Sequence, residues 1–103
     1  MDSRTTIEEV KELIAQFMKE RELNPGSRDL AVSISLKASE LLEHFQWSEK
    51  GDGDALEIKR ALADVMIYCL EFATLNNIDI SEAIHEKMLQ NEKKYPKAES
   101  YNK

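Results

Sequence analysis

A stripe of side chains that could bind a ligand or take part in catalysis lies in segment 35–47 of this 103-residue chain. Lys37, Glu40, His44 and Trp47 follow one another at i, i+3, i+7 and i+10, which is the spacing of one helix face. A cation, a carboxylate, an imidazole and an indole on one face suit the wall of a ligand site. A solvated helix surface that carries a tryptophan has the same pattern. Evidence from the rest of the chain is needed to distinguish these two interpretations.

A second polar line runs through segment 54–76 at helical spacing. Its members are Glu57, Ala61, Asp64, Tyr68 and Glu71. Asp64 is embedded in apolar sequence, where a carboxylate is costly to bury unless it is paired or binds a metal. One interpretation is a surface pair with Arg60 or Lys59. The other is that carboxylates on two facing helices hold Mg²⁺, a hard cation that prefers oxygen ligands.

Four helices are predicted to position these residues. They span residues 5–23, 29–47, 54–76 and 81–95. Thr5 or Thr6, with Glu8 or Glu9 three residues later, predicts a capping box at the start of the first helix. Asp79 or Ser81 is expected to cap the fourth helix. The stretch "LAVSISL" in segment 30–36 alternates like a strand, but its apolar stripe continues without a break into segment 37–45, which favours helix.

The third helix is the most hydrophobic, and its middle, "ALADVMIYCLEFA", is apolar nearly all round. Such a helix has to be buried on several sides, and a chain of 103 residues has little mass of its own to surround it. We therefore expect self-association. The sequence otherwise indicates one helical domain over residues 1–96, followed by a polar tail over residues 97–103.

Composition excludes several classes of function. A net charge of −6 disfavours binding to nucleic acid, because phosphates repel an acidic surface. No apolar run approaches the roughly 20 residues of a membrane span, and the polar N-terminal stretch is unlike a signal peptide. The single cysteine, Cys69, cannot form an internal disulfide and is expected to be a small core residue, which favours a reducing, cytoplasmic compartment.

Three motifs in order give the chain a resemblance to a known family. "SELLEHFQW", "ALADVMIY" and "KMLQNEKKYP" resemble the MazG-like all-α nucleoside triphosphate pyrophosphohydrolases, in particular the dCTP pyrophosphatase branch, over roughly residues 5–96. The resemblance implies a four-helix bundle subunit of a homo-oligomer, either dimer or tetramer. It also implies Mg²⁺-dependent cleavage of a nucleoside triphosphate, such as a dCTP-like one, into a monophosphate and pyrophosphate.

The acidic motifs of the family are altered here. The family pattern is E-x-x-E on the second helix and E-x-x-D on the third, so that four acids surround the metal. Glu40 and Asp64 match the second acid of each pair, whereas Lys37 and Ala61 replace the first. The loss of two ligands and the gain of a cation weaken the attraction for a divalent ion. Lys37 is predicted to take the place of the metal and to bridge Glu40 and Asp64.

Other residues take roles only through the resemblance. Glu40 and Asp64 would be metal ligands and catalytic residues, with Glu57 recruited as a compensating acid in preference to Glu43. Trp47 and Tyr68 would line the base pocket, although both also suit core aromatics with a polar tip. The residues matched to phosphate contacts are Lys87, Asn91, Lys94 and Tyr95, which also suit a basic helix terminus that complements the helix dipole.

Three functions remain open from the sequence. The first is a Mg²⁺-dependent nucleotide pyrophosphohydrolase of the nucleotide pool with a degenerate metal site. The second is a non-catalytic relative that binds nucleotide or assembles with another protein, in which Lys37 replaces the metal. The third is a helical oligomerisation module without a ligand. A Lys37 ammonium in contact with Glu40 and Asp64 would favour the second.

Overall fold

A computed structural model describes residues 1–51 and 54–98, and the described part is all-α. Its helices, in chain order, are α1 (Ile7–Glu20), α2 (Ser27–Glu43), α3 (Ala55–Leu75) and α4 (Ile80–Lys94). The predicted four-helix, all-α class is therefore confirmed, and the strand alternative for segment 30–36 is wrong. Most of the predicted polar tail, residues 99–103, lies outside the described residues. None of the described helices has the length and apolarity to cross a membrane.

Side-chain caps fix three of the four helix starts. Thr6 accepts a hydrogen bond from the Glu9 N–H (3.1 Å) while Glu9 accepts one from the Thr6 N–H (3.3 Å), which completes the predicted capping box. Asp54 caps α3 and Asp79 caps α4, each accepting from a backbone N–H three residues later. These bonds satisfy donors that the first turn of a helix leaves unpaired. Short-range sequence therefore sets these boundaries.

The second helix ends earlier than predicted. It stops at Glu43, and the N–H groups of His44, Phe45 and Gln46 then bond to carbonyls three residues back in tight turns. Trp47 consequently lies beyond the helix, so the predicted stripe that continues to Trp47 is wrong in its last member. The turns bring Phe45 back towards Gly51, where an added Cβ would lie 3.2 Å from the Phe45 ring.

The central unit is an antiparallel pair formed by α2 and α3, with α1 packed less extensively against α3. Ser27 at the start of α2 donates to Asn76 just after α3 (3.2 Å), which ties the two distant ends together. The buried hydrophobic residues among those described are Leu30, Leu70 and Ala73, and they lie near this end. The remaining helix, α4, makes few contacts with the other helices.

Hydrophobic side chains remain exposed along α3. Leu62, Met66 and Ile67 are 53%, 51% and 38% exposed, and Cys69 is only half-buried. The chain exposes 9038 Å² of surface, whereas a compact monomer of its mass exposes about 5,900 Å². The apolar middle of α3 is therefore not covered by the chain's own helices.

Candidate functional site

The α2–α3 pair brings three of the predicted site residues together. Lys37 Nζ lies 3.1 Å from Glu40 Oε2 on the same helix and 3.9 Å from Asp64 Oδ2 on the facing helix. The Lys37 side chain is 29% exposed, while those of Glu40 and Asp64 are about half exposed. The contact expected from the two stripes is therefore present, with one cation shared by two carboxylates on different helices.

The electrostatics of this cluster favour the charged lysine. The hydrogen bond to Glu40 raises the pKa of Lys37 above its ordinary value of 10.5, and the charges of Glu40, Asp64 and Tyr68 act in the same direction. Partial burial opposes them but does not reverse the shift. Lys37 is therefore positively charged throughout the physiological pH range, and Tyr68 lies close enough to interact with it electrostatically.

Acidic ligands are sparse around Lys37. Among residues 1–51 and 54–98, no three His, Cys, Asp or Glu side chains are grouped so as to hold a metal ion. Glu57 is exposed at the first turn of α3, where its backbone N–H is bonded to Asp54. It lies two turns before Asp64, so the structure does not gather it with Glu40 and Asp64 into a three-acid cluster. Its compensating role stays a prediction.

The aromatic residues matched to the base pocket lie in different surroundings. Tyr68 is half-buried on α3, one turn after Asp64, whereas Trp47 is 83% exposed in the turn that follows α2. The structure therefore places Tyr68 beside the Lys37 cluster but does not enclose Trp47 in a pocket. The assignment of both residues to a base site stays a prediction.

The residues matched to phosphate contacts lie along α4. Lys87 is exposed, Asn91 Nδ2 lies 3.9 Å from Met88 Sδ, and the Lys94 ammonium lies 5.3 Å from the centre of the Tyr95 ring. No ion pair or hydrogen bond in the described residues joins this group to the Lys37 cluster. A phosphate-binding role stays a prediction.

One chemically distinctive side chain was missed as a candidate. Glu71 lies on the polar line of α3, and its Oε2 is buried without a hydrogen-bond partner among residues 1–51 and 54–98. Burial raises the pKa of this carboxyl above its ordinary value of 4.5. Its position between Leu70 and Phe72 was the available signal, as for Asp64, but the sequence does not show which way a side chain on an apolar helix points.

The fold and the facing acidic positions define the class to which the protein belongs. The chain belongs to the MazG-like family, whose sequence profile matches residues 32–103, which confirms the resemblance drawn from the three motifs. Human dCTP pyrophosphatase 1 is 29% identical over 101 residues, and the mouse protein of the same name is 30% identical. These alignments cover 88% of this chain and 59% of each relative.

A solved structure supports the same relationship. The crystal structure of a pyrophosphatase from Archaeoglobus fulgidus superimposes with a TM-score of 0.78 at 34% sequence identity. The alignment covers 88% of this chain and 93% of the archaeal chain. The helical arrangement described above is therefore similar to that of this archaeal pyrophosphatase.

Loss of the Lys37 charge should lower stability in a pH-dependent manner. Because the pKa of Lys37 is raised on folding, its contribution is complete below pH 10.5 and is lost as the pH rises through the folded-state pKa. We expect Lys37→Met to lower Tm at pH 7 by no more than about 4 °C, since partly exposed ion pairs contribute little. The difference from wild type should shrink above pH 10.5.

Lys59→Met is the matched control, because Lys59 is exposed on α3 and has no ion pair among the described residues. Thermal denaturation followed by circular dichroism measures both variants across the pH range. Equal melting temperatures for Lys37→Met and Lys59→Met at pH 7 would show that the bridge between α2 and α3 adds no stability.

Proposed function

We propose that this chain is a nucleotide pyrophosphohydrolase-type protein with a degenerate metal site, acting on the cytoplasmic nucleotide pool as a self-associated dimer or tetramer. Family membership and the relatives named for dCTP support a nucleoside triphosphate, such as a dCTP-like one, as its ligand. The observation that carries the proposal is the position of Lys37 Nζ between Glu40 and Asp64. In the four-acid pattern of the family, the metal belongs between these helices.

Mg²⁺ is the cofactor that the resemblance implies, and the residues present do not fit it. Lys37, Glu40 and Asp64 together carry one net negative charge, against four for the family's acids. Two carboxylates are too few oxygen ligands to compete with the hydration of a small divalent ion. An ammonium group at hydrogen-bond distance from one of them also repels such an ion. The cluster as it stands therefore does not provide a Mg²⁺ site.

The chemistry left to the residues themselves is binding rather than bond cleavage. Lys37 forms ion pairs with one acid on α2 and one on α3 and offsets one of their two negative charges. In the four-acid pattern of the family, a metal ion would have this role. Glu40 and Asp64 both lie within ion-pair distance of this cation, so the cluster offers a divalent ion little net negative charge. Turnover is therefore expected to be slow, although the fold that presents a nucleotide is intact.

The wild-type protein should cleave dCTP far more slowly than relatives with four acids. With Mg²⁺ present, we expect turnover well below ~1 s⁻¹, the lower limit of typical enzymes. Release of pyrophosphate and dCMP is measured by coupled assay and chromatography, with a four-acid relative as the positive control. Turnover at or above that rate would contradict our account of the site, and Glu57 would then be the first residue to mutate.

The second candidate function is a non-catalytic nucleotide-binding relative, which the Lys37 ion pairs favour. A single experiment distinguishes such a protein from a slow hydrolase. Calorimetric binding of dCTP without any product after prolonged incubation would support the non-catalytic protein. Neither binding nor product would instead support an oligomerisation module and would overturn both nucleotide proposals.

A further inference from the structure

A cleft of about 580 Å³ lies between α1 and the α2–α3 pair, away from the Lys37 cluster. Its lining includes Ile14, Met18 and Lys19 from α1, Leu30 from α2 and Glu71 from α3. Empty space between two elements removes the van der Waals contacts that would otherwise hold them together. The C-terminal half of α1 is therefore only loosely packed against the rest of the fold.

Side-chain contacts also attach α1 weakly. None of its residues is fully buried, and Leu13 and Phe17 are 72% and 49% exposed. Near its start, Lys11 Nζ donates to the carbonyl of Ile78 (3.4 Å). Beyond that point, no hydrogen bond or ion pair among the described residues joins a side chain of residues 12–20 to α2 or α3. This half of α1 can therefore move away while the α2–α3 pair stays intact.

Glu71 places an unfavourable group beside this cleft. Its Oε2 is enclosed, and none of the described residues donates a hydrogen bond to it. An ionised carboxylate without a partner is strongly disfavoured inside a protein. The other charged residues that line the cleft are Lys19 of α1 and Glu22 of the turn after it, and the lining from α2 adds none. Burial alone raises the pKa of Glu71 above 4.5, so neither of these charges offsets the cost.

Two events would relieve the cost of burying Glu71. Uptake of a proton makes the carboxyl group neutral, which suffices in acid. At neutral pH the carboxyl group loses its proton, and movement of α1 then allows water and the Lys19 ammonium to reach Oε2. Because α1 is the loosely attached side of the cleft, ionisation of Glu71 favours the movement of α1 rather than separation of α2 from α3.

We propose that the C-terminal half of α1 is a proton-controlled flap, which is docked at the cleft while Glu71 is neutral and opens more often when Glu71 is ionised. Because docking raises the pKa of Glu71, the docked state is fully favoured below pH 4.5. It loses this advantage as the pH rises through the raised pKa, and the effect then levels off. The flap does not require a nucleotide, so its test is independent of the proposed function.

Hydrogen exchange followed by mass spectrometry measures the opening of the flap on the full chain without nucleotide. Protection factors, corrected for the intrinsic pH dependence of exchange, are compared between residues 14–20 and the middle of α3. Between about pH 4 and about pH 7.5, protection of residues 14–20 should fall at least about fivefold relative to α3. That factor corresponds to the lower end of the cost of an unpaired buried acceptor.

Variants of Glu71 identify the titrating group. Glu71→Gln removes the titration at nearly constant volume, so protection of residues 14–20 relative to α3 should no longer depend on pH. Glu71→Leu also removes the buried polar group and should raise this protection at least about fivefold above wild type at about pH 7.5. Glu86→Gln, the same change at an exposed position on α4, is the matched control and should keep the wild-type profile. If circular dichroism shows that Glu71→Leu does not fold, the wild-type profile and Glu71→Gln decide the question.

Three results would overturn the flap. Equal changes in protection for α1 and α3 at every pH would show that α1 opens only together with the rest of the fold. A loss of α1 protection with pH that persists in Glu71→Gln would assign the effect to another group. A loss that follows a change of oligomeric mass, measured by light scattering at each pH, in wild type and Glu71→Gln alike would show that a second copy holds α1 in place.

Discussion

Replacing both Lys37 and Ala61 by glutamate should produce a protein that binds Mg²⁺ and releases pyrophosphate from dCTP. The double change restores the four-acid pattern of the family on α2 and α3. It adds two carboxylates and removes the ammonium that now contacts Glu40 and Asp64. Even in a water-like dielectric, each unit-charge pair at ~4 Å shifts a binding equilibrium about fivefold. We therefore expect Mg²⁺ affinity to rise by at least ~100-fold.

Each single variant should give less than half of this gain in Mg²⁺ affinity, because neighbouring ligands of one ion are energetically coupled. Lys37→Glu alone removes the repelling cation but supplies three acids. Ala61→Glu alone leaves the ammonium in place, and it can pair with the new carboxylate. Calorimetric titration with Mg²⁺ and a pyrophosphate assay on the four proteins measure the coupling directly.

The same double variant should be less stable without metal. Four carboxylates across the α2–α3 pair repel one another, and the Lys37 bridge is gone. A decrease in Tm of about 5 °C in chelator, reversed by millimolar Mg²⁺, is the expected result. A well-folded double variant with wild-type Mg²⁺ affinity would contradict the proposal that the metal site was lost by these two replacements.

Introducing aspartate at Ile67 should abolish self-association. Ile67 lies in the middle of α3, where Met66 is also exposed in the single chain. Its own side chain is 38% exposed, so a charge there costs the isolated subunit little. At a contact between copies, the same charge would be buried without a partner, at a cost of about 3–5 kcal/mol. That cost corresponds to at least a 100-fold weaker association.

Light scattering coupled to size exclusion measures the mass of each protein at micromolar concentration. We expect an oligomer for wild type and for Ile67→Val, which keeps the apolar contact, and a monomer for Ile67→Asp. Val65→Asp tests the same surface less cleanly, because Val65 is half-buried within the subunit. A monomeric wild type would refute self-association through α3 altogether.

Local sequence was sufficient for the helices and for most of their ends. Thr6 with Glu9, Asp54 and Asp79 act within a few residues of themselves, so caps can be recognised without knowledge of the fold. The three motifs likewise identified the MazG-like family, because they are contiguous in the chain. The end of α2 was not predictable in this way. It depends on turns that return Phe45 towards the loop at Gly51, a contact made outside the helix.

The candidate site shows the same difference between what local sequence predicts and what tertiary packing decides. Sequence placed Lys37, Glu40 and Asp64 on two helix faces, and a short connection made those faces neighbours, so their meeting followed from periodicity and topology. Only the tertiary structure decided which carboxylate is buried: Asp64, embedded in apolar sequence, is half exposed, whereas Oε2 of Glu71 is enclosed. Helical spacing defines which residues share a face but not how closely α1 and α2 cover each turn of it. That coverage comes from packing between distant parts of the chain.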